Sequence, residues 1–162
     1  MEKPFSIGFI TSGLTSLGGI ERYSSAMVQA YTKRADITRV IVLTHTDSQN
    51  DAVEADVFRD IIPGRYGFRT QWSVFSSAMR HLRGCDVIHC AVETYGPGAA
   101  LASLVLRKPL FITLAGSYSV PPKGNSAHAF LKRQMMRFMY WQAAQIMTMS
   151  ERNTTLIKTE TV

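Results

Sequence analysis

Cysteine is scarce in this chain: two occur in 162 residues, Cys85 and Cys90. They flank a short apolar segment, and no nearby Cys or His set completes a zinc spacing, so neither a disulfide framework nor a metal site is expected. Two reduced thiols are the simplest reading. Long apolar runs are missing as well. No stretch approaches the ~18 apolar residues of a membrane span. The start, Met1-Glu-Lys-Pro-Phe5, has no secretory apolar core, and the run after it is broken by Ser6 and Gly8. A soluble, cytoplasmic protein is expected, with a membrane-peripheral location left open. Dense basic runs are also lacking. The formal net charge of +6 favours anionic partners such as phosphates, acidic membrane surfaces or nucleic acid. Its cations are scattered, however, and no nucleic-acid signature occurs, so no nucleic acid is expected as a partner.

What is present is an ordinary globular composition, 46% hydrophobic and 19% charged, with length enough for one domain and a real core. Strand-like and helix-like segments alternate. Phe5–Thr11 reads as a buried strand. Gly19–Arg34 reads as a helix, with Ile20, Tyr23, Met27, Val28 and Tyr31 at helical spacing. The β-branched run Ile37–Thr44 is a second strand, 45–55 is a polar loop, and Val57–Ile62 is a weaker edge strand stopped by Pro63-Gly64. Arg69–Leu82 is a helix with Trp72, Phe75, Met79 and Leu82 on one face, and Asp86–Cys90 is a short strand. Pro97–Leu106 is a helix of small residues with proline in its first turn. Pro109–Leu114 is a strand, 115–125 a Gly/Pro/Ser-rich loop and Ser126–Gln142 a long helix. Gln145–Met149 is the last strand, and Ser150 caps a final short helix. Unbroken apolar strands alternating with helices predict an α/β fold: a Rossmann-like parallel sheet with helices on both faces, in a single domain. Ligands of such folds bind beyond the carboxyl ends of the strands. That selects the loops Ser12–Gly19, Ala91–Gly98, Ala115–Pro122 and the turn at Ser150–Arg152.

The first of these loops carries the strongest signal. Ser16-Leu-Gly-Gly-Ile-Glu-Arg-Tyr23 follows a strand and opens an amphipathic helix. At Gly18 and Gly19 the backbone can come close to a phosphate, and the free N–H groups of the first turn and the positive end of the helix dipole converge there. A tight turn that needs glycine only for its backbone angles explains the pair equally well. A dinucleotide fingerprint does not fit, because the glycines fall at 13, 18 and 19 and no acidic residue ends the second strand.

Two further strands deliver polar groups to their carboxyl ends. Glu93, Thr94 and Tyr95 follow one, and Gly116, Ser117 and Tyr118 follow the other. These are candidates for binding a hydroxyl-rich ligand, with Gly116 allowing close backbone approach; each one singly also reads as an ordinary loop residue. His89, inside its strand, reads as a core histidine bonded to backbone. No catalytic triad or paired-carboxylate arrangement emerges. The Ser126–Gln142 helix sets Phe130, Leu131, Met135, Phe138 and Met139 against Lys132, Arg133 and Arg137. It reads as a helix packed on the sheet, or as one lying on an anionic membrane surface. Arg65 and Arg69 are candidate anchors for an anionic acceptor, and Thr159–Val162 matches a short carboxyl-terminal recognition pattern.

Taken in order, Gly18–Tyr23, Asp86-Val-Ile-His89, Lys108–Thr113 with Gly116-Ser-Tyr118, and Ala144–Glu151 resemble the N-terminal half of glycosyltransferase family 4 over nearly the whole chain. The resemblance implies a retaining B-type-fold enzyme that transfers sugar from a nucleotide diphosphate donor. Residues 1–162 would form its acceptor-side domain, and a C-terminal domain absent from this chain would hold most of the nucleotide sugar. Gly18 and Gly19 would meet the donor phosphates, and Glu93, Thr94, Tyr95, Gly116, Ser117 and Tyr118 would line the acceptor side. No cofactor, metal or protein nucleophile is implied. The isolated domain is expected to be inactive. One departure stands out: Ala115 occupies the position where many relatives have a histidine, and alanine donates no hydrogen bond to a sugar. The competing expectation is a stand-alone, non-catalytic phospholigand-binding or regulatory domain.

Overall fold

The computed structural model describes residues 4–47, 53–64, 66–114 and 126–148. Six parallel strands form one sheet in the order β3-β2-β1-β4-β5-β6. In chain order the elements are β1 (Phe5–Ile10), α1 (Gly19–Thr32), β2 (Ile37–His45), β3 (Asp56–Ile61), α2 (Phe68–His81), β4 (Val87–Cys90), α3 (Gly96–Leu106), β5 (Leu110–Leu114), α4 (Ala127–Gln142) and β6 (Ala143–Thr148). This is the expected single α/β domain.

β1 is central and buried almost throughout, which is why Phe5–Ile10 reads as a continuous apolar run rather than an alternating one. Phe9 lies in register with Val42 on one side and His89 on the other. The chain steps outward from β1 to β3 and then jumps back to β4, which puts α1 on one face of the sheet and α2, α3 and α4 on the other. Two cores result. One joins the inner sides of α2, α3 and α4 to Ile10, Leu43, Ile88, Cys90 and Ile112; the other joins Val28 of α1 to Ile7, Phe9, Val40 and Val42.

Three details depart from the sequence pattern. The segment after β4 is a 3-10 turn, Glu93–Tyr95, running straight into α3 at Gly96 rather than an open loop. β6 starts two residues early, directly at the end of α4. Most tellingly, α2 is rolled relative to its apolar stripe: Leu82 is buried and Phe75 packs on the core, but the rest of the buried side is not the stripe itself. It buries Thr70, Gln71, Ser73, Val74, Ser77 and Ala78, while Trp72 stays 56% exposed. The cause is the close approach of α3. A side chain at Gly98 would meet the Gln71 carbonyl oxygen and Val74, so only small or locally bonded residues fit that seam. Ser73 Oγ donates to the Thr70 carbonyl and accepts from Ile62 N–H, which removes the cost of burying it.

Candidate functional site

The strand order reverses between β1 and β4, so their carboxyl ends diverge into a crevice. On the β1 side the chain is tied down before it reaches α1. Thr11 donates its N–H to Leu43 O and shares a 2.6 Å contact with Ser24 Oγ. Arg22 Nε donates to Ser16 O, so the one cation in the first turn of α1 is spent on shaping the loop. Gly18 is the N-cap, in extended backbone, and makes no side-chain cap bond; Gly19 begins the helix. The first-turn amides are therefore free of side-chain caps, as an anion site requires.

A cleft of about 410 Å³ opens at this helix mouth, lined by Ser12, Gly13, Thr15, Gly18, Glu21 and His45, with Leu17 and Asp47 at its margin. Sequence reasoning missed Glu21. Its carboxylate accepts from Ser12 Oγ at 2.8 Å and lies against Gly18, where any side chain would collide with it. A side chain at 18 would meet only the Glu21 side chain, chiefly its carboxylate end, which can swing aside, so neither this contact nor the extended backbone demands glycine there. The signal was in the spacing: an acid three residues after an N-cap folds back over the helix start. His45 Nδ1 lies 3.1 Å from Asp47 Oδ1 on the opposite wall.

On the β4 side Glu93, Thr94 and Tyr95 are brought together, but enclosed: 1%, 7% and 2% exposed. Gln71 holds them there. Its amide donates to Thr94 O at 2.7 Å and accepts from Gly98 N–H at 2.8 Å, which caps the first turn of α3 from a distant helix. Glu93 differs from its neighbours, for neither carboxylate oxygen has a hydrogen-bond partner among the described residues. The phenols of Tyr66 and Tyr140 are raised well above the ordinary range by burial first, with the nearby Glu93 carboxylate adding to the shift. The two sides of the crevice meet where the His45 ring stands edge-on to Tyr95, centroids 6.5 Å apart. Gly116, Ser117, Tyr118, Ala115, Arg65, the Ser150 helix and Thr159–Val162 lie outside the described residues.

His89 is buried as expected, but its partners are side chains rather than backbone. Nδ1 lies 2.8 Å from Tyr31 Oη and Nε2 2.9 Å from Thr113 Oγ1, which in turn contacts Tyr23 Oη at 3.1 Å. Burial lowers its pKa to about 4, so the imidazole is neutral and pins α1 to the sheet. Among the described residues no group of three or more His, Cys, Asp or Glu could hold a metal ion, and no helix is long and apolar enough to cross a membrane.

A doubly wound parallel sheet with a glycine-opened helix at its switch point defines the class: a Rossmann-like α/β domain. The family follows from comparison. Residues 18–157 match the Glycosyl transferase 4-like domain, and the chain belongs to that family. Among solved structures it is similar to Anabaena Alr3699/HepE, crystallised in complex with UDP and glucose, with a TM-score of 0.62 at 15% identity. The match covers 96% of this chain and 41% of HepE, so the chain spans less than half the length of that structure. No curated protein matches the sequence.

Proposed function

We propose that this chain is the acceptor-side domain of a retaining glycosyltransferase that moves a sugar from a nucleotide diphosphate donor to an acceptor. The observation that carries the reading is the uncapped start of α1 at the switch point, opened by Gly18 and Gly19. Its amides supply fixed donors where charge develops on a departing diphosphate, and such donors act without reorganising. The Glu21 carboxylate beside them repels phosphate and accepts from hydroxyls, so we assign it to a sugar or ribose hydroxyl of the donor. Glu93, Thr94 and Tyr95, with Gly116, Ser117 and Tyr118, take the acceptor side. The rest of the nucleotide sugar falls to a second domain beyond these residues, in keeping with the greater length of HepE, whose structure holds UDP and glucose. We place the protein in the cytoplasm and expect no sugar transfer from residues 1–162 alone.

Titration of the chain with UDP, followed by amide NMR, tests this. Weak binding that shifts the Gly19 and Ile20 amides is the expected result. Micromolar binding would favour a stand-alone phospholigand-binding domain. Unmoved amides at saturating UDP, or sugar transfer by the chain alone, would overturn the reading.

A further inference from the structure

Four buried side-chain polar atoms have no hydrogen-bond partner among the described residues, and two of them are the carboxylate oxygens of Glu93. The other two are the hydroxyls of Ser25 and Ser77. A lone hydroxyl is a modest burden, whereas a carboxylate taken out of water with nothing to bond costs far more. Glu93 is 1% exposed and lies in the 3-10 turn between β4 and α3. Gln71 fixes that turn through Thr94 O and Gly98 N–H, so the backbone keeps the carboxylate inside.

Its surroundings are aromatic and uncharged. The Tyr66 and Tyr140 phenols are pushed up by burial first, with Glu93 among the groups that add to the shift, which sets both beside the carboxylate. Both are half-buried, so they stand between Glu93 and solvent. No described basic side chain bonds to Glu93. Lys132 of α4 is held over the Tyr66 ring instead, 4.5 Å from its centroid. A metal ion does not suit the position as a counter-charge, because among the described residues no group of three or more His, Cys, Asp or Glu could hold one.

We infer that Glu93 receives a positively charged nitrogen of the acceptor, so that the acceptor is an amine-bearing sugar or polyol rather than a neutral one. The inference rests on the transferase reading, which puts Glu93 on the acceptor side, and adds to it the charge of the substrate. A carboxylate among phenol rings suits an ammonium group twice over: its oxygens accept the N–H groups, and the ring faces attract the charge. An anionic group at the same place would be repelled. Entry displaces the Tyr66 or Tyr140 side chain that covers the carboxylate. Stability withheld from the free chain by an unpaired buried charge is recovered when the ammonium group arrives.

Calorimetric titration of the chain with glucosamine, below neutral pH so that its amine is charged, tests this against glucose and N-acetylglucosamine. Glucosamine should bind at least about tenfold more tightly than either neutral sugar, the worth of one charge-assisted hydrogen bond. Glu93→Gln keeps the shape without the charge and should abolish the preference. Glu93→Met, apolar and of similar volume, should melt at a higher temperature than the unliganded parent. Equal affinity for the three sugars, or a preference that survives in Glu93→Gln, would overturn the inference. So would a Glu93→Met chain that melts lower, since the carboxylate would then be holding the protein's own chain. The UDP-induced shifts of the Gly19 and Ile20 amides are read in a separate titration. Their presence without an amine preference sinks this inference alone, and their absence sinks the transferase reading.

Discussion

At the scale of single residues, His89 makes the most direct prediction. Its imidazole takes up a proton near pH 6.5 in the unfolded chain and near 4 in the folded one. The unfolded state therefore binds more protons between those values. Stability is fully present above about pH 6.5 and is lost as pH falls towards 4, by about 3 kcal/mol. Urea unfolding from pH 7 to pH 4 should show this slope, and His89→Gln should flatten it. That His89 belongs to the core was legible from its place inside a strand; its partners were not, because Tyr31 and Thr113 lie 58 and 24 residues away. Glu21 lay within reach of the sequence, since its spacing from Gly18 is local. Gln71 did not, because a glutamine in mid-helix carries no sign of the distant turn it caps.

At the scale of elements, hydrophobic periodicity located every helix and strand among the described residues to within a few positions. It failed to say which way α2 faces. Periodicity reports that an apolar stripe exists, and the seam with α3 decides what can be buried. Two substitutions probe these helices. Gly98→Ala places a methyl group against the Gln71 carbonyl, 2.5 Å away, and against Val74, and should destabilise the domain by roughly 1–3 kcal/mol. Arg107, at the end of α3, holds φ at 55°, in the left-handed region. Arg107→Gly relieves that strain and should raise stability by roughly 1 kcal/mol. Thermal unfolding of the two variants should move in opposite directions.

At the scale of the whole molecule, protection should follow the sheet order. β1 is hydrogen-bonded on both sides and buried, whereas β6 is an edge strand whose residues are half-buried or exposed. Native-state hydrogen exchange should find the β1 amides slowest, opening only with global unfolding, and the Ala143–Thr148 amides faster. Exchange in β6 as slow as in β1 would contradict this. The sheet and its layers were legible in the sequence because alternating strands and helices leave few topologies open. Which loops enclose their polar groups was not, because that depends on how closely neighbouring helices approach. One junction has a consequence of its own. α4 ends at Gln142 and β6 begins at Ala143, with no connecting residue between them. The other helix-to-strand junctions among the described residues have connecting residues that can absorb an inserted or deleted one. Here a one-residue change would swap the two sides of the strand or drag the helix around its axis by about 100°. This seam should be the least forgiving place in the chain for a change of length.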